Sequence, residues 1–161
     1  MDICDYTGPA PGRNEYMAVG EPLDKYANIG ILRFMDLDEP LKPVHWVGSS
    51  LKDLRDCPED IKDEFGYALQ IAQAGDKHES AKPLRGFGGA GVLEIVASDA
   101  SNTYRAVYTV ILPSAIYVLH VFVKKSKKGI RTPQKEIALI KDRLRAAVED
   151  HRERYGGKSH A

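Results

Sequence analysis

The chain has 161 residues, 43% of them hydrophobic and 29% charged, which suits one ordinary globular domain with a real core and an appendage. Its formal charge of zero hides a split: residues 1–41 hold three Lys/Arg against eight Asp/Glu, net −5, and the remainder carries +5. A basic body behind an acidic leader favours polyanionic partners, and with no apolar run near the ~20 residues needed to cross a bilayer, a membrane-spanning helix is excluded.

Residues 1–41 contain Pro9, Pro11, Pro22 and Pro40 and little periodicity. They read as an irregular acidic extension in which Gly30–Phe34 is the only strand-like run. A strand or lid packed on the body is the competing reading. This leader lacks the basic region followed by an apolar stretch that marks a secretory signal. Cys4 and Cys57 are the only cysteines and have no metal-binding spacing, so a reduced, cytoplasmic protein with neither bound metal nor cofactor is expected.

Residues 42–157 form the expected domain, with 158–161 as a tail. Val44–Val47 is a short strand candidate. Ser49 and Ser50 both offer N-caps, and Ser50-Leu-Lys-Asp53 fits a capping box opening a short helix, about Leu51 to Asp56. Pro58 suits the first position of a second helix, whose Ile61, Phe65, Ala68, Leu69 and Ala72 recur at three- and four-residue intervals. Gly75 stops it, completing a helical hairpin. The glycine-rich stretch Gly86 to Gly91 lacks the preceding strand, GK[ST] ending and following helix of a phosphate-cradling loop. Strands are predicted over Val92–Ala97, Thr103–Leu112 and Ala115–Val123, the last two joined tightly at Pro113-Ser114. A final helix runs from Pro133 to Tyr155 with an apolar stripe of Ile137, Ile140, Leu144 and Val148. The expected architecture is α+β: an antiparallel sheet of three to four strands, an N-terminal helical hairpin and a C-terminal helix.

One stretch is chemically distinctive. Lys124, Lys125, Lys127, Lys128 and Arg131 place five cations in eight residues between the last strand and the last helix. Such density costs repulsion unless an anion or water screens it, which makes the stretch a phosphate-binding candidate. A solvated basic turn that only aids solubility is the bland reading. Lys82 and Arg85 flank the loop into the sheet and are further phosphate candidates.

Lys82-Pro-Leu-Arg-Gly86, Val92-Leu-Glu-Ile95, Tyr104-Arg-Ala-Val-Tyr108, His120-Val-Phe-Val-Lys-Lys-Ser-Lys-Lys128 and Thr132-Pro-Gln-Lys-Glu-Ile137 occur in that order. Together they resemble the RelE/HigB superfamily, and more closely its phage-derived branch, over about residues 43–147. The resemblance implies a compact RelE-like fold and the toxin role in a type II toxin–antitoxin pair. It implies cleavage of mRNA, usually on the ribosome, without a metal. It also implies a cognate antitoxin, often a helix-turn-helix DNA-binding protein.

RNA cleavage by an adjacent 2′-hydroxyl needs a base at the 2′-oxygen, cations on the pentavalent phosphate and an acid at the 5′-oxygen. Arg105 matches the family's strand arginine, and its guanidinium can hold phosphate oxygens bidentately. An ion pair with a neighbouring carboxylate is its alternative. Lys124 and Lys125 could approach the scissile phosphate, leaving Lys127, Lys128, Arg131, Lys82 and Arg85 for flanking phosphates. Glu94, on a strand where some relatives carry basic residues, is either a general base or the partner of Arg105. His120 is either an acid–base group or a structural histidine among apolar neighbours. Strand alternation puts Tyr104 and Tyr108 on the face opposite Arg105. A non-catalytic module binding RNA or protein through the same basic patch is the alternative to the nuclease.

Overall fold

The structure, a computed structural model, describes residues 3–6, 41–89, 91–124 and 132–156. Its elements are β1 (Ile3–Tyr6), β2 (Val44–Val47), α1 (Ser50–Arg55), α2 (Glu59–Gln73), β3 (Lys82–Pro83), β4 (Val92–Ser98), β5 (Thr103–Thr109), β6 (Ile116–Lys124) and α3 (Gln134–Tyr155). The strands form one six-stranded sheet in the order β1-β2-β6-β5-β4-β3.

This corrects the expected sheet in both size and direction. An antiparallel sheet of three to four strands accounts only for β3 to β6. β2 joins β6 in parallel, with Val44, His45 and Trp46 opposite Ile116, Tyr117 and Val118, so the sheet is mixed. A parallel pair requires a long crossover, and the stretch from α1 through β5 supplies one. No local signal in four residues reveals it. β1 then pairs antiparallel with β2, which brings the first residues of the acidic extension into the sheet. The Gly30–Phe34 run lies outside the described residues.

The sheet is the middle of three layers. The α2 stripe, Ile61, Phe65, Ala68, Leu69 and Ala72, is buried against one face together with Trp46, Ile95, Tyr104, Tyr108 and Val118. Helix α3 covers part of the other face, where Ile140 and Ala147 meet Val47, Val107, Tyr117 and Leu119. Val148, expected on that stripe, is 43% exposed, and Ala147 occupies the inward position instead.

Two local expectations also change. Ser50 is not a cap: it is buried inside α1, and its hydroxyl donates 3.1 Å to the Val118 carbonyl, tying α1 to β6. Of the two serines it is Ser49 that precedes the helix, and its hydroxyl donates to Asp53 at 2.7 Å. Strand β5 stops at Thr109, so the link to β6 is longer than the two residues Pro113-Ser114. β6 carries a bulge: Val107 faces His120 and Tyr108 faces Val118, leaving Leu119 as the extra residue. The bulge keeps Leu119 in the α3 core while His120 and Phe122 continue on the same side.

Candidate functional site

The site is built on the α3 side of the sheet, where β4, β5 and β6 run past the first turn of α3. Side chains of directly opposed residues share a face. The registers Glu94↔Val107, Val96↔Arg105, Arg105↔Phe122 and Thr103↔Lys124 therefore place Glu94, Arg105, Phe122 and Lys124 together. Lys82 on β3 stands opposite Glu94 and joins them at the sheet's edge, beside a shallow depression lined by Glu79, Ser80, Lys82 and Val96. Tyr104 and Tyr108 point the other way, into the α1–α2 core.

Arg105 is the centre of this face. Its guanidinium forms an ion pair with Glu94, diagonal across β4 and β5, and Nη1 also donates 3.4 Å to the Thr132 hydroxyl. The Arg105 side chain is 7% exposed and that of Glu94 is 16% exposed. A cation so buried requires its carboxylate, since an uncompensated charge there costs several kcal/mol. The ion-pair reading of Arg105 is therefore realised.

His120 lies next along β6, its ring stacked on Phe122 at 4.9 Å and 20°. Its surroundings are polar rather than apolar. Nε2 is 2.6 Å from Glu136 on the first turn of α3, and Nδ1 is 3.1 Å from Nη1 of Arg143. Neither ring nitrogen is left over for a substrate. Burial is the main reason its proton affinity falls below the ordinary histidine value, with the nearby Arg143 charge adding to it and Glu136 opposing.

Arg143 was not among the residues singled out from the sequence, although a signal existed. It falls on the inward line Glu136, Ile140, Arg143, Ala147 of α3, where a cation is out of place. It is 6% exposed and donates to the Leu119 carbonyl and the Ser49 hydroxyl, each at 2.9 Å. Burial lowers its proton affinity also. Gly48 makes room for it: at φ +60, a Cβ there would sit 2.9 Å from the guanidinium.

The structure does not bring every candidate to this face. Arg85 is exposed in the loop that leaves the Val92 end of β4, four residues from Val96, which is about 13 Å along the strand. Lys125, Lys127, Lys128 and Arg131 lie outside the described residues. Their chain neighbours Lys124 and Thr132 do not: the first ends β6 and the second touches Arg105. At the far end of the same sheet face, a second polar cluster joins His45 Nε2 to the Tyr155 hydroxyl at 2.9 Å and the Tyr117 hydroxyl to Asp150 at 2.7 Å. Sequence reasoning left these residues unpaired because β2 and the end of α3 are 110 residues apart in the chain.

Among the described residues, no group of three or more His, Cys, Asp or Glu side chains could hold a metal. Among the same residues no helix is long and apolar enough to cross a membrane. Residues 52–145 match the family model of phage-derived Gp49-like proteins, and that is more than half of the chain. The chain belongs to the Gp49-like family. Gp49-like proteins are RelE/HigB-like and are associated with the toxins of toxin–antitoxin pairs, which implies an antitoxin partner in general terms. The matched stretch contains Glu94, Arg105, His120, Glu136 and Arg143, but not β1, β2 or the end of α3. No curated protein and no solved structure matches the chain significantly.

Proposed function

We propose that this Gp49-like protein is the toxin of a type II toxin–antitoxin pair and that its Arg105 face cleaves mRNA on the ribosome. The observation that carries this reading is the meeting of Arg105, Glu94 and Thr132 at the point where the five-cation stretch begins and ends. Lys124, the first of those cations, shares this face through the registers Thr103↔Lys124 and Arg105↔Phe122. Lys82 adds a cation on the opposite flank.

In the proposed reaction, Glu94 accepts the proton of the ribose 2′-hydroxyl as its oxygen attacks the adjacent phosphorus. Arg105 shifts from the Glu94 carboxylate towards the phosphate oxygens as negative charge builds on them. The P–O5′ bond breaks, and a lysine ammonium of the basic stretch gives its proton to the leaving oxygen. The products are a 2′,3′-cyclic phosphate and a 5′-hydroxyl. The ribosome orients the message over the shallow depression beside Lys82 and Val96. The antitoxin, of the helix-turn-helix type common beside such toxins, neutralises the protein when bound.

A second reading rests on a specific observation. Arg105 is already satisfied by Glu94 and nearly buried, so the face could bind RNA or protein without cleaving. Induced expression separates the two. Growth arrest with new transcript 5′ ends, relieved by co-expressing a small antitoxin encoded beside it, supports the nuclease. Unimpaired growth with intact transcripts favours the binding module.

A further inference from the structure

We infer that Arg143 is the positioning residue of the Arg105 face: by donating to His120 it fixes which ring nitrogen carries the proton, and so anchors the first turn of α3 through Glu136. The inference rests on the proposed nuclease reading for its consequence, but not for its geometry.

An arginine side chain can only donate. Nη1 of Arg143 faces Nδ1 of His120 at 3.1 Å, so that nitrogen must present a lone pair. The ring proton then belongs to Nε2, which points at the Glu136 carboxylate 2.6 Å away. Glu136 stands one helical turn beyond Thr132, in the turn closed by its own N–H on the Pro133 carbonyl at 3.0 Å. Thr132 is the residue that touches Arg105. One line of donors therefore runs from α1 to the face: Asp53 holds Ser49 at 2.7 Å, Ser49 accepts from Arg143 at 2.9 Å, and Arg143 orients His120.

Two further observations support design rather than accident. Gly48, in a left-handed conformation, leaves clear the space beside the guanidinium, which a Cβ would enter at 2.9 Å. Arg143 also takes the Leu119 carbonyl, the residue that the β6 bulge leaves without a partner across from β5. A second proton on His120 would have to sit on Nδ1 and point into Nη1–H of Arg143. The groups facing the ring from α3 and β6 are thus Glu136, Arg143 and Phe122, with Asp53 behind Ser49 on the α1 side. They hold it as one neutral tautomer.

The test uses the full-length chain. Nitrogen-15 imidazole spectra of the parent should show neutral His120 as the Nε2–H tautomer, taking up its second proton below the ordinary histidine range. A proton on Nδ1, or ordinary titration near pH 6.5, overturns the inference whether or not the protein cleaves RNA. In Arg143→Met, or in Ser49→Ala should the first fail to fold, His120 should titrate at higher pH. Amide exchange over residues 134–138 should quicken at least ~10-fold, while that of α2 stays unchanged. Single-turnover cleavage of ribosome-bound message should fall ~10-fold with RNA affinity unaltered, and Arg143→Lys should recover part of it. Unaltered exchange and tautomer in a folded variant refute the positioning role. Normal tautomer results beside an inactive parent would refute only the nuclease reading.

Discussion

The Arg105–Glu94 pair allows stability and function to be separated by a double-mutant cycle. Glu94→Gln removes the charge facing a guanidinium whose side chain is only 7% exposed. Breaking one partner of a buried pair costs about 3–5 kcal/mol. Because Glu94 is itself 16% exposed and glutamine still accepts a hydrogen bond, the low end applies, about 3 kcal/mol. For a chain of this length that is a Tm drop of roughly 5–10 °C. Arg105→Met leaves Glu94 free to reach water and should cost about 1–2 kcal/mol. The double variant replaces the pair by neutral groups and should recover most of the loss, giving a coupling of about 2 kcal/mol in urea titrations followed by circular dichroism. A coupling below about 0.5 kcal/mol would refute the claim that the two side chains depend on one another. The double variant is then the control that matters for function, being folded yet lacking both groups proposed for the reaction.

Three further outcomes are expected. The folded chain holds His120 at a lower proton affinity than the unfolded chain, so the unfolded state binds the proton first as pH falls. Stability linked to His120 is therefore fully present above about pH 6.5 and is lost as pH falls below it; urea midpoints at pH 7.5 and 5.5 should differ less in His120→Gln than in the parent. Gly48→Ala should lower stability by at least about 1–2 kcal/mol through its left-handed backbone alone, with more from displacing Arg143; a thermal midpoint unchanged from the parent would contradict this. Phe65→Ala, at a fully buried position under the sheet, should cost about 3–5 kcal/mol, measured by urea denaturation.

What the sequence revealed follows from where the information is local. The spacing of Ile61, Phe65, Ala68, Leu69 and Ala72 announced the buried face of α2, since helix geometry alone decides which residues share a side. Alternation along β5 likewise separated Arg105 from Tyr104 and Tyr108. The mixed character of the sheet was hidden because Val44–Val47 is buried on both faces and carries no sign of its partner's direction. The site was half legible. Glu94 and Arg105 come together through a simple antiparallel register, and their pairing was one of the two alternatives read for Glu94. The Arg143 network was not, because it joins α1, β6 and α3 across 94 residues of chain from Ser49. The partners of His120 were hidden for the same reason: the residues flanking it in sequence are apolar, whereas those meeting its ring nitrogens come from α3.

The most direct measurement gives purified protein to ribosomes carrying a defined message and determines the chemistry of the new RNA ends. The account predicts 2′,3′-cyclic phosphate and 5′-hydroxyl ends for the parent, and a rate lower by about 10²-fold or more for the folded Glu94→Gln/Arg105→Met protein. Intact message with the parent, or equal cleavage by the double variant, would contradict it.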